Sequence, residues 1–331
     1  MNTGTSHFPQ RRQILIGAAV VISGAALAAL GLDRWRGAET RPTSKGAPNP
    51  ELDALADAVV SGGPGRDGIP PIDEPQFVTA DAASFLGDDE PVFGLNHRGQ
   101  FRAYPQQVLV WHEVVNDVVG GEALSVTYCP LTGTVIAFAS PPGEVWTFGT
   151  TGRLVNSNLL MYDRQTESEW PQILGVAISG SLKGTRAATV PLVWTTWRAW
   201  SRAHPETLVL STATGALRRY GSDPYGSYPS RTGYYFEEGT IFPVQHSSDR
   251  YGAKDVIVGI RAGQDRCAVL KSLVRQNNSV RVSVGGITWI ARWDNDLDAA
   301  VVVNAATNEP ADYLEAMWFA WYAFYPETTL V

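Results

Sequence analysis

Cysteine is scarce in this chain: Cys129 and Cys267 are the only two in 331 residues. That excludes a disulfide framework and a zinc site of paired cysteines, and leaves open one bridge between the two. Histidine and methionine are nearly as rare, with five and three copies, so any site built from them draws on few residues. No phosphate-cradling glycine loop and no Gly-x-Ser-x-Gly elbow is present. Positive charge is in deficit. Lys and Arg number 26 against 33 Asp and Glu, giving a net charge of −7. Without a basic stripe to neutralise phosphates, nucleic acid is excluded as a main partner.

What is present reads as a globular body behind an export segment. Hydrophobic residues make up 44% and charged residues 18%, the balance of a chain with a full apolar core. The eleven tryptophans belong mostly to that core. Arg11-Arg12 precede Ile14 to Leu32, which carries no charge. At ~1.5 Å rise per residue this run just spans a bilayer as a helix. A basic pair before an apolar stretch is an export pattern of twin-arginine type, with cleavage and retention as an anchor both open. The expected organisation is therefore 1–32 as signal or membrane anchor, 33–66 as a flexible linker interrupted by a short helix near Leu52 to Val60, and 67–331 as the folded body. Localisation is expected to be outside the cytoplasm, with the membrane as a partner through the N-terminal helix.

Within the body several strings occur twice. Trp197-Arg-Ala-Trp200…Pro205-Glu-Thr207 recurs as Trp318-Phe-Ala-Trp321…Pro326-Glu-Thr328, Gly99-Gln-Phe-Arg102 as Gly263-Gln-Asp-Arg266, and Val119-Gly-Gly121 as Val284-Gly-Gly286. This is the signature of an internal duplication, with a first half at about 67–215 and a second at about 236–331. On that register Cys129 falls opposite Asp294 and His112 opposite Gln276, so the reactive side chains belong to the first half alone. Hydrophobic alternation predicts hairpin strands at Val92 to Leu95 and Phe101 to Tyr104, Leu124 to Tyr128 and Thr134 to Phe138, and a strand ending at Phe148. It predicts further strands at Leu159 to Tyr162, Val176 to Ser179 and Val209 to Ser211. The second half repeats strands at Val256 to Ile260, Val280 to Val284, Thr288 to Arg292 and Ala300 to Val303. Helices are expected at Pro105 to His112, Thr196 to Ala203 and Asp312 to Phe324. The first half has an extra stretch, Pro141 to Gly184, and a Gly/Tyr/Ser/Pro loop, Tyr220 to Tyr235, separates the halves. The fold class expected is β-rich α+β, two related halves packed as one unit.

Three segments concentrate reactive side chains: Trp111-His-Glu113…Asn116-Asp117, Tyr128-Cys-Pro-Leu…Gly133-Thr134, and Asn156-Ser-Asn158…Met161-Tyr-Asp163…Thr166…Ser168…Trp170. With Asp67-Gly-Ile-Pro, Phe148-Gly149, Asp223-Pro-Tyr225 and the closing tryptophan strings, they resemble the bacterial and archaeal domain-of-unknown-function family 3179 over about Gly68 to Val331. The resemblance implies no activity. Relatives carry a second cysteine where Thr132 stands, so a paired-thiol mechanism does not carry over to this chain and Cys129 stands alone.

Cys129 follows a strand at a tight turn, as a metal ligand, a nucleophile or a small buried hydrophobe. His112 suits a ligand or a general base, with Glu113 beside it to fix the tautomer, or a core histidine. His246 is a weaker candidate. Met161 is a soft ligand or core filler. Cys, His and Met together suit copper or another transition metal, so the leading expectation is an extracytoplasmic metal site of His112, Cys129 and Met161. The alternatives are a thiol enzyme with Cys129 as nucleophile and His112 as base, and a non-catalytic binding or scaffold module. Glu113, Asp117, Asp163, Glu167 and Glu169 could supply a general acid or base, or a hard-metal site, though no pair has a diagnostic spacing, and Arg164 is a partner for one of them.

Overall fold

Short antiparallel hairpins, each apolar on the inward positions of its strands, assemble into five small sheets in a five-bladed propeller arrangement, with a separate two-stranded ribbon of Gly226–Ser227 and Thr232–Gly233. The structure, a computed structural model, describes Met1 and residues 49–331. The expected export segment, Arg11-Arg12 and Ile14 to Leu32, lies outside the described residues. Among the described residues no helix is long and apolar enough to cross a membrane.

The expected α+β body of two packed halves is therefore corrected. The longest helix described, Pro50–Asp57, has eight residues, and no helical layer covers a shared sheet. The elements Pro91–His97, Gln100–Pro105, Val114–Val119, Glu122–Cys129 and Thr134–Ala139 are matched in order and length by Val256–Ala262, Asp265–Leu270, Ser279–Val284, Ile287–Asp294 and Ala299–Asn304. Each set is divided between two sheets. Its first hairpin joins one blade and its next three strands another. The extra stretch of the first half supplies the fifth blade, Phe148–Val155, Asn158–Asp163 and Glu169–Pro171, edged by Val60–Ser61. On the strand register His112 corresponds to Asn277, one residue beyond the counterpart expected.

Most expected hairpins form, and three local differences have clear causes. The residues from Asp312 to Met317 are a strand, paired along its length with Val256–Arg261, and the helix starts only at Trp318, where the aromatic spacing begins. Phe148 opens a strand because its partner is Asp163, at the far end of the next strand. Val176 to Ser179 makes only isolated bridges, to Arg186 and Glu169. The end of the expected linker is also engaged: Asn49 caps helix Pro50–Asp57 through its side chain, and Val60–Ser61 pairs with Arg153–Leu154.

The duplicated tryptophans fix two blades in the same way. Trp200, on helix Trp197–Ala203, lies over Gly94, where a Cβ would come within 2.2 Å of the indole. Trp321, on helix Trp318–Phe324, lies over Gly259 at 2.3 Å by the same measure. Each indole N–H donates to a threonine hydroxyl, Thr207 or Thr328, at 3.0 Å. Glycine on the strand thus admits the ring, and the Pro-Glu-Thr string satisfies its buried donor. One core cluster, holding Phe148, Trp170, Trp318 and Trp321, joins three blades and contains both Cys129 and Met161.

Candidate functional site

Cys129 ends strand Glu122–Cys129 in that core cluster, 1% exposed. Its wall is the tip of the fifth-blade hairpin. Asn156 (φ 52°) and Ser157 (φ 60°) are consecutive left-handed residues, the backbone of a two-residue type I′ turn. The turn brings the Leu159 N–H to 3.4 Å from Cys129 Sγ, and the thiol donates to the Ser157 carbonyl at 3.9 Å. Asn156-Ser-Asn158 is thereby the seat of the thiol. Asn158 continues inward, donating to Thr132 Oγ1 at 3.1 Å and to Gln172 Oε1 at 3.0 Å. Thr132 shares a hydrogen bond with Thr134 at 2.8 Å. Both cysteines are free and buried, in different core clusters.

The charge of Glu113 acts on this thiol. Its carbonyl accepts from the Tyr128 N–H at 2.7 Å, which ties it to the strand end that carries Cys129. The residue is 7% exposed, and among the described residues no protein group hydrogen-bonds its carboxyl, whose oxygens keep some contact with solvent. Its backbone is left-handed, φ 59°, unusual for a residue other than Gly, Asn or Asp. Asn278 holds the corresponding position in the second half with the same φ of 59°, exposed to solvent. Asparagine there is the choice that backbone geometry favours. Burial raises the Glu113 carboxyl to about 8. Burial first, and then the Glu113 charge, raises the Cys129 thiol to about 11. Near neutral pH both groups are thus mainly protonated.

Two tyrosines of the 220–235 loop close the site. Burial raises Tyr225 well above the ordinary phenol range, reinforced by the charges of Glu113 and Cys129. Tyr234 is raised by burial and by Cys129, and its hydroxyl donates to the Leu131 carbonyl at 2.8 Å. The loop is anchored by Asp223, whose carboxylate accepts from Tyr235 at 2.6 Å and from Gln106 at 2.7 Å. Asp223 also accepts from the Tyr225 N–H at 2.7 Å, an Asx-type turn that aims the Tyr225 ring. Behind Tyr234 lies Lys254, its Nζ 2.9 Å from the ring centroid and without a hydrogen-bond partner among the described residues. Desolvation lowers that amine to about 7.

The other expected site residues are placed as follows. His112 is buried, with Nδ1 2.7 Å from the Pro70 carbonyl and Nε2 2.6 Å from the Tyr220 hydroxyl. A carbonyl only accepts, so Nδ1 carries the proton and Nε2 receives the Tyr220 hydrogen. Desolvation lowers the His112 pKa. Its tautomer is fixed by Pro70 and Tyr220, not by Glu113, and no hydrogen bond joins it to Cys129. Met161 packs in the same cluster as Cys129, paired across strands with Trp170 and Thr150. His246 is exposed on a groove edge. Asp163 accepts from Thr166 and from the Trp170 indole at 2.9 Å, which accounts for its motif structurally. Asp117 accepts from Tyr104 at 2.7 Å, and Arg164 pairs with Asp73 at 2.6 Å. Among the described residues no group of three or more His, Cys, Asp and Glu side chains is arranged to hold a metal ion.

The sequence offered Glu113 as a partner for His112 and as one of five carboxylates able to act as acid or base, and gave no part to Tyr225, Tyr234 or Lys254. The Asp223-Pro-Tyr225 string and the tyrosine density of its loop were the available signals. Lys254 had none, because its burial depends on packing against Tyr234 and Phe319. The chain matches no curated protein and no solved structure. The family described as "Protein of unknown function (DUF3179)" matches residues 66–328, which takes in the thiol, its facing carboxyl and the tyrosine loop. The chain belongs to that family.

Proposed function

We propose that the chain is an exported thiol enzyme in which Cys129 attacks an electrophilic carbonyl carbon and Glu113 takes the thiol proton. The observation that carries this reading is Glu113 itself: a buried carboxyl without a hydrogen-bond partner, on a left-handed backbone, beside the first half's own cysteine. Each of these features costs stability, and together they are what a proton-transfer group requires. In the step, the Sγ–C bond forms as the S–H proton passes to the Glu113 carboxylate and the carbonyl π pair moves onto oxygen. The oxygen pair then re-forms the carbonyl as the bond from carbon to the leaving group breaks, and Glu113 returns the proton to the leaving group. Transfer from a thiol near 11 to a carboxylate near 8 is uphill by about 4 kcal/mol, a modest part of an ordinary turnover barrier. His112 is replaced as base by Glu113 in this reading. Export, with or without membrane anchoring, rests on Arg11-Arg12 and the apolar run after it.

The test is a burst assay with a small activated ester such as p-nitrophenyl acetate. A burst stoichiometric with an acyl group on Cys129, absent in Cys129→Ser, slowed in Glu113→Gln and unchanged in His112→Ala, supports the reading. Full turnover in Cys129→Ser, or a rate indifferent to Glu113, overturns it, and no burst or turnover in the wild-type protein favours a binding or scaffold module. The copper reading of His112, Cys129 and Met161 draws support from the two sulfur residues sharing one cluster. Copper bound per chain, and lost in Cys129→Ser, would favour it over the thiol enzyme.

A further inference from the structure

We propose a second site, for a small amphipathic organic anion, in the groove of about 790 Å3 that Arg186, Arg261 and Arg266 line. Neither Cys129 nor Glu113 lines it, so it stands apart from the thiol reading. Arg261 and Arg266 are directly opposed across neighbouring antiparallel strands, an arrangement of like charges that costs stability without a counter-ion. One carboxylate is built in. Asp312 pairs with Arg261 at 2.6 Å from the strand on its other side, and it also accepts from Thr189 at 3.0 Å. With a further bond to the Ile173 carbonyl at 2.9 Å, Arg261 is satisfied and structural.

Arg186 and Arg266 are not matched in this way. Arg186 donates only to the Leu174 carbonyl at 3.1 Å, and it is held down by desolvation and by the repulsion of both other guanidinium groups. Arg266 donates to the carbonyls of Gly263 and Asp265, and its buried Nε has no acceptor among the described residues. The remaining rim carboxylate of this groove beside them, Asp265, is exposed, and Glu315 is committed to Lys271 at 2.6 Å. In a chain of net charge −7, two under-paired guanidinium groups facing one groove form a fork for a carboxylate, phosphate or sulfate. Part of the remaining wall is apolar, with Leu192, Trp194, Ile287 and Trp289. That surface suits a short hydrocarbon or aromatic body attached to the anion.

Titration of the full-length protein with acetate, octanoate, octyl phosphate and inorganic phosphate, followed by tryptophan fluorescence and calorimetry, tests this. Octanoate or octyl phosphate should saturate a single site, at least about tenfold tighter than acetate or inorganic phosphate, because buried methylenes add to the ionic contact. Which of the two binds tighter identifies the head group. Arg186→Gln and Arg266→Gln should each weaken binding about tenfold or more, while exposed Arg219→Gln leaves it unchanged. Arg186→Lys and Arg266→Lys keep the charge and guard against a folding defect. They should bind with intermediate affinity and an unchanged circular dichroism spectrum. No saturable signal from any of the four probes, or affinity unaltered in the Arg186→Gln/Arg266→Gln protein, overturns the proposal.

Discussion

The carbonyl of Glu113 accepts the N–H of Tyr128 at 2.7 Å, and the next residue is Cys129. A single backbone hydrogen bond therefore sets the register of the only carboxyl that raises this thiol. Burial raises both groups, and the Glu113 charge raises the thiol further.

The first consequence is a pH dependence of stability. Burial lifts the Glu113 carboxyl from 4.5 to about 8 in the folded chain. A carboxyl raised on folding favours the native state fully below its unfolded pKa, and that contribution is lost as pH rises through the folded value. Urea denaturation should show wild-type stability declining between about pH 4.5 and about pH 8, against a flatter profile in Glu113→Gln. Equal slopes for the two proteins would show that the carboxyl is not desolvated.

A second consequence concerns the cost of the site. Glu113→Asn places the residue used at the corresponding left-handed position, Asn278, and removes the buried carboxyl. The variant should be more stable at neutral pH by about 1 kcal/mol or more, seen as a raised melting temperature. The same variant should lose the acyl burst. A fall in melting temperature would mean that Glu113 serves the fold.

The tryptophan clamps give a third. Gly94→Ala and Gly259→Ala each drive a methyl group into an indole, and each should cost about 1–3 kcal/mol or more in chemical denaturation. Thr207→Val and Thr328→Val leave a buried indole N–H unpaired and should each cost about 1–3 kcal/mol. Similar losses at the paired positions would express their shared geometry, and neutrality at either glycine would contradict the packing.

Much of this was legible from the chain before its structure. The hairpins around Asn96 to Gly99 and Pro130 to Gly133, the helix after Thr196 and the matched tryptophan strings follow from alternation, turn residues and spacing. The blades do not. Which hairpins share a sheet depends on non-local edges, such as Leu208–Leu210 running parallel to Gln100–Pro105, or Val60–Ser61 closing the fifth blade. Alternating hydrophobicity is the same in either assembly, so two repeats read as two halves when each in fact feeds two blades. At the site, Cys129 stood out by rarity. His112 drew attention because imidazole titrates near neutrality, yet its partners, Pro70 and Tyr220, lie far away in the chain and commit both ring nitrogens. Glu113 was visible as a neighbour of His112 and as one of five candidate carboxylates. Its left-handed backbone and empty hydrogen-bonding shell are tertiary properties with no local signature.

The central claim, that Glu113 and Cys129 act as one proton-sharing pair, is tested most directly by the pH profile of Cys129 alkylation with iodoacetamide. Peptide mass spectrometry would follow it in wild type, Glu113→Gln and His112→Ala. Wild type should titrate near 11, Glu113→Gln at a lower pH because the opposing charge is gone, and His112→Ala as wild type does. A profile that moves with His112 and ignores Glu113 would contradict the account.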